Sequence, residues 1–223
     1  MTPLAQLEAR ADPRKAAGMA AEQQAPRRYL GIAGPEIAAL TDRWRAELSL
    51  DARIALAADL WQTDIHEARI AAAKLLTQAR IRPDAAAWDL IRSWVPDFDA
   101  RAIADLASIA GQKRLVADPA RLDSVAGWIT SPRMWTRRAA LVMTLPWSRQ
   151  NHPKPAEEAA RGRILGWCAA CADDPDRRIQ QAVAGWIRAL SRHDAPRARA
   201  FLARHGPRLT PAAHREAACH LSG

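Results

Sequence analysis

Residues 97–138 read DFDARAIADLASIAGQKRLVADPARLDSVAGWITSPRMWTRR, and this stretch decides the fold. Asp97 and Ser131 each precede an Ala-rich helical segment, and they lie 34 residues apart. A second helical segment, Pro119–Trp128, fills the space between them. Working outward, the same arrangement recurs at Asp64, 33 residues before Asp97, and at Asp174, 43 residues after Ser131. The polar loop RQNHPKPA, residues 149–156, takes up the longer third interval. A helix pair at this period cannot bury its apolar stripe alone and must stack on its neighbours.

The spacing predicts helices over Ala5–Gln23, Pro35–Leu48, Asp51–Trp61, Ile65–Gln78, Ala85–Trp94, Ala100–Ala110 and Pro119–Trp128. Further helices are expected over Pro132–Leu145, Ala156–Cys171, Pro175–Ser191, Pro196–Arg204 and Pro211–Leu221. Gly34-Pro35, Ser131-Pro132, Asp174-Pro175 and Thr210-Pro211 each set a turn or capping residue before a proline suited to a first helical turn. The expected architecture is an all-α, HEAT-like helical repeat solenoid. It forms a single curved domain over residues 5–221, with 1–4 and 222–223 as unstructured termini.

Composition agrees. Tyr and Phe number only 1 and 2, whereas Ala, Leu and Arg abound, so helix propensity outweighs strand propensity. The longest charge-free apolar stretch, Ala139 to Ser148, is too short to span a bilayer, and the N-terminus has no apolar signal core. A cytoplasmic, monomeric protein without a membrane partner is expected. Lys and Arg total 33 against 24 for Asp and Glu, a net charge of +9, which favours an anionic partner, nucleic acid first.

Three cysteines make no disulfide framework. Cys168 and Cys171 form a C-x-x-C inside an apolar helical run and read as two buried thiols. The histidines (66, 152, 193, 205, 214 and 220) show no ligand spacing and read as exposed structural residues. No metal or cofactor is expected.

The repeat also aligns polar residues. Asp105 lies 8 residues past Asp97, Arg138 lies 7 past Ser131, and Gln181 lies 7 past Asp174. On stacked second helices these three are expected near one another on a concave basic face. Lys113, Arg114, Arg133 and Arg137 flank Arg138 as candidate phosphate contacts, with Trp135 one turn away. Arg177 and Arg178 open a helix, where cations oppose the macrodipole, and this hints at an anionic backbone as their use. Trp128, Trp147, Trp167 and Trp186 read as core.

In its motifs the chain resembles the AlkD-type DNA alkylation repair family, HEAT-like DNA glycosylases. The resemblance is carried by residues 11–40, ADPRKAAGMAAEQQAPRRYLGIAGPEIAAL, with its K-x-x-GM helix followed by YLGI and a proline. The segments DIHEARIAAAKLL (64–76), AIADLASIAGQKRL (102–115), WITSPRMWTRRAAL (128–141), IQQAVAGWIRALS (179–191) and LTPAAHREAA (209–218) follow in family order. The resemblance implies an enzyme that cleaves the N-glycosidic bond of N3- or N7-alkylated purines in double-stranded DNA. It implies Asp105 as the catalytic carboxylate, Arg138 as the groove arginine, and Trp135 as its tryptophan neighbour.

The chain departs from the family pattern at three aromatic positions. A family Tyr is Glu22, a Trp four residues before the Asp is Arg101, and a Trp on the later helix is Gly185. A family Lys is Gln181. In the implied chemistry a carboxylate stabilises the oxocarbenium-like sugar left by a cationic purine, and aromatic faces attract the same charge. Arg101 stands one helical turn before Asp105, so the two can pair, and an Arg there opposes a cationic lesion. The sequence therefore predicts weakened or altered excision. A non-catalytic DNA-structure binder and a protein-interaction scaffold are the alternative readings.

Overall fold

A computed structural model describes residues 1–221 as helices joined by short turns. The chain divides into two compact units, Met1–Ala117 and Asp118 onward. The first unit carries α1 (Pro3–Glu8), α2 (Pro13–Gln23), α3 (Gly34–Glu47), α4 (Leu50–Gln62), α5 (His66–Leu75), α6 (Ala85–Trp94) and α7 (Arg101–Ala117). The second carries α8 (Leu122–Ala126), α9 (Met134–Met143), α10 (Leu145–Ser148), α11 (Pro155–Ala170), α12 (Arg177–Ser191), α13 (Ala195–His205) and α14 (Pro211–Ala218). No strand occurs among the described residues, and none of their helices is long and apolar enough to cross a membrane.

Local chemistry sets the helix starts. Asp12 caps α2 by accepting from the backbone N–H of Arg14 and Lys15, and Pro13 follows it, so the single helix expected over Ala5–Gln23 is two. Thr2 likewise caps α1, which begins at Pro3, inside the terminus expected to be unstructured. Residues 222–223 lie outside the described residues. Thr210 caps α14 ahead of Pro211, as its sequence predicts. The helices at the four repeat starts begin one or two residues later than expected, at His66, Arg101, Met134 and Arg177. Asp64 sits at φ +53° in the turn before α5, and Val95–Asp97 forms a 3-10 turn before α7. Asp176, not Asp174, caps α12.

In the first unit, α5 is buried along nearly its whole length. Its alanines 68, 71, 72 and 73 let α3, α4 and α7 pack closely on it. Beside it the indoles of Trp61 and Trp94 stack at 4.3 Å and 7°. The fully buried Glu67 carboxylate accepts the backbone N–H groups of Leu30, Gly31 and Ile32 at 2.9, 2.7 and 3.4 Å. Gly31 makes that loop possible. Its φ is +78°, and a Cβ there would stand 2.2 Å from the Asp12 carbonyl oxygen. The Arg27 guanidinium pairs with Asp64 and Asp99 and so ties the loop after α2 to the segments that open α5 and α7.

His66 is a correction to the sequence reading. It is buried, stacks on Tyr29 at 4.8 Å, and leaves its Nδ1 unpartnered. Burial lowers its pKa below the ordinary 6.5. The unfolded chain therefore takes up a proton that the folded chain resists, and stability present above pH 6.5 is lost as pH falls toward the lowered value. The melting temperature is expected to drop between about pH 7.5 and 5.5, and less steeply in His66→Phe, which keeps the ring stack. Thermal melts of both proteins across that range check this; parallel curves would show that His66 does not drive the loss.

In the second unit, α12 packs its Ile179, Val183, Ile187 and Leu190 against α9, α13 and α14. Trp186, fully buried, donates its indole N–H to the Thr144 carbonyl at 3.3 Å. Arg161 is buried and gives its Nε to the Trp147 carbonyl at 2.9 Å. Cys168 and Cys171 are buried thiols; desolvation pushes Cys171 up to about 11 and Cys168 well above its usual value, so neither is a nucleophile at neutral pH.

Candidate nucleic-acid interface

Helix α7 of the first unit presents Asp105 and Arg101 side by side. The Arg101 Nε lies 3.4 Å from an Asp105 carboxylate oxygen, one helical turn away, as the sequence predicts. The Arg101 side chain is 67 % exposed and that of Asp105 33 %, so the pair is open to solvent and weak. Lys113, on the same helix, is exposed. Glu22, near the end of α2, is exposed as well.

Arg114 is different and overturns its expected role. Its side chain is 0 % exposed. It donates to the carbonyls of Gln78, Ala79 and Ile81 and pairs with Asp84 at 3.2 Å. A guanidinium enclosed by three carbonyls and a carboxylate holds the α5–α6 connection and has no surface to offer a phosphate. Helix periodicity carries the signal, because Ile103, Ala107, Ala110 and Gly111 line the same buried face of α7.

The second unit brings three of the expected residues together. The Arg138 guanidinium lies over the Trp135 ring at 5.7 Å, and the Arg178 guanidinium over the same ring at 5.5 Å. Two cations within reach of one indole form a cation–π cluster. Arg138 is 7 % exposed, whereas Arg178 is exposed, so Arg178 presents the larger cationic surface. Arg178 makes no side-chain ion pair among the described residues. Gln181 and Gly185 follow on α12, both half-buried, and a Cβ built on Gly185 meets nothing within 4 Å. Arg133, exposed, sits at the start of α9.

Arg137 does not join the cluster. Its Nε donates to Asp174 at 2.9 Å and its Nη1 to the Ser131 carbonyl at 2.9 Å, fixing the turn before α9 to the turn before α12. This contact spans 37 positions in sequence, so the local pattern could not show it. The sequence reading also missed the junction of Arg178 with Trp135, which arises only from the packing of α12 on α9.

The solved structure of a predicted DNA alkylation repair enzyme from Enterococcus faecalis superposes with a TM-score of 0.78, covering 96 % of this chain and 97 % of that one at 18 % identity. That likeness establishes the all-α helical repeat fold. No curated protein matches the chain. Residues 4–221 match the sequence profile of the DNA alkylation repair enzymes, and the chain belongs to that family.

Proposed function

We propose that the protein binds double-stranded DNA by its sugar–phosphate backbone, with Trp135, Arg138 and Arg178 as the anchor. The observation that carries this reading is the pair of guanidinium groups over one indole. Two guanidinium groups gathered at one ring, one of them exposed, are charged donors suited to the oxygens of a phosphate. The surplus of basic residues, 33 against 24, adds a long-range attraction for a polyanion. In this reading residues 5–221 work as one HEAT-like repeat domain, a monomer in the cytoplasm, without metal or cofactor.

The same reading gives Asp105 the carboxylate role in N-glycosidic cleavage of N3- or N7-alkylated purines, at a rate weakened by Arg101. The Arg101–Asp105 pair favours a second reading, a DNA binder that excises nothing. Release of 7-methylguanine from a methylated duplex separates the two. A protein-interaction scaffold is separated from both by salt dependence.

Binding to an unmodified duplex is expected to weaken steeply with salt, as counterion release requires. Arg178→Ala is expected to cost about tenfold in affinity and to reduce the slope of log K against log salt by about 1. Trp135→Ala is expected to weaken binding as well, because the ring that orients both guanidiniums is gone. Fluorescence anisotropy over a sodium chloride series measures all three proteins; salt-independent or absent binding would overturn the proposal.

A further inference from the structure

Besides Met1, the large apolar side chains exposed among the described residues are Ile109 at 39 % and Val116 at 54 %. Both lie on α7, the helix of Arg101 and Asp105. At about 100° per residue, Arg101, Asp105, Ile109 and Val116 fall within about 80° of one another around the helix axis. Ile109 stands one turn beyond Asp105, about 6 Å along the axis, and Val116 about 16 Å beyond it. The opposite face of the same helix holds Ile103, Ala107 and Ala110 in the core, away from these two side chains.

A face with an exposed cation at Arg101, an aliphatic ridge and an exposed lysine at 113 has a particular complement. The backbone of a duplex offers phosphates to the cations and the C–H faces of deoxyribose rings to the aliphatic groups. A purely apolar partner would bury the Arg101–Asp105 ion pair and Lys113 while offering them no polar group. A nucleic-acid backbone satisfies both kinds of group on one helix.

We infer that Ile109 and Val116 pack on deoxyribose rings of bound DNA and so set the Asp105 face of α7 against the duplex. This rests on the DNA-binding function proposed above and adds positioning residues to it. Ile109 acts by contact with the sugar and by keeping water from one side of the Asp105 carboxylate.

The test uses the full chain, an unmodified duplex and anisotropy over a salt series. Ile109→Ser and Val116→Ser are each expected to lower affinity about five- to tenfold with the salt slope unchanged, because an apolar contact releases no counterions. Ile109→Leu is expected to bind like the wild type. Both serine variants are expected to melt within a few degrees of the wild type, since the two sites are exposed. Wild-type binding that the serine variants leave untouched, or a slope that changes with them, would overturn this inference and leave the Arg178 anchor standing. Absence of wild-type DNA binding would overturn both.

Discussion

Arg114→Met is expected to unfold the first unit at temperatures where the wild type is intact. The substitution keeps a long unbranched side chain and removes only the charge and its donors. What remains are the carbonyls of Gln78, Ala79 and Ile81, each losing a guanidinium donor, and Asp84, losing its ion pair. Breaking a buried pair by removing one partner costs about 3–5 kcal/mol. Domain stabilities are only about 5–15 kcal/mol in total, so this is a large fraction. The expected fall in melting temperature exceeds about ten degrees. Lys113→Ala is the control: the neighbouring side chain is exposed and its loss is expected to change stability by less than about 0.5 kcal/mol. Near-UV circular dichroism or calorimetry on the two variants reads the difference directly. Equal melting of the two variants would mean that the carbonyl cage around residue 114 contributes nothing.

That contrast between adjacent residues shows what a sequence carries. The run Gly-Gln-Lys-Arg-Leu looks like a basic patch when read by composition. Read by helix period, Arg114 belongs with Ile103, Ala107 and Gly111, and the structure follows the period. The all-α repeat was legible because Pro, Asp, Ser and Thr mark helix starts through local hydrogen bonds, as at Thr210, although the start at Asp12 was read through as one continuous helix. The Arg101–Asp105 pair was legible for the same reason, being one turn apart.

Contacts set by packing between distant segments were not legible. Glu67 looks like an ordinary acidic residue in a first helical turn, yet it gathers three backbone N–H groups from a loop 35 to 37 residues away. Arg137 reads as a surface cation, yet it pairs with Asp174 across two repeats' turns. His66 follows the same logic: its burial depends on Tyr29, far back in the chain. At the candidate interface, family order picks out Trp135 and Arg138, but the second guanidinium on that indole comes from how α12 lies against α9.

The other large effect concerns excision itself. Under the excision proposed above, Arg101→Trp combined with Gly185→Trp is expected to raise 7-methylguanine release from methylated duplex about tenfold or more. A guanidinium about 6 Å from a cationic purine or an oxocarbenium-like sugar opposes it by about 0.7 kcal/mol in water and about 3 kcal/mol at an effective dielectric constant of 20. Those limits correspond to about threefold and about a hundredfold in rate. The indole adds attraction for the same cation, about 0.5–2 kcal/mol. The Arg101 side chain is 67 % exposed and its ion pair is a surface one, and the position at Gly185 is open space for a Cβ. Tryptophan is also a better helix residue than glycine, so α12 is not weakened. Asp105→Asn in the doubly substituted protein is expected to abolish release, because the amide cannot offset positive charge at the sugar. Its DNA affinity is expected to match or exceed that of its parent, since a negative charge facing phosphates is removed. Single-turnover release assays beside thermal melts decide the matter. A well-folded double variant with no gain in release would overturn the expectation that an indole at 101 or at 185 serves the proposed excision.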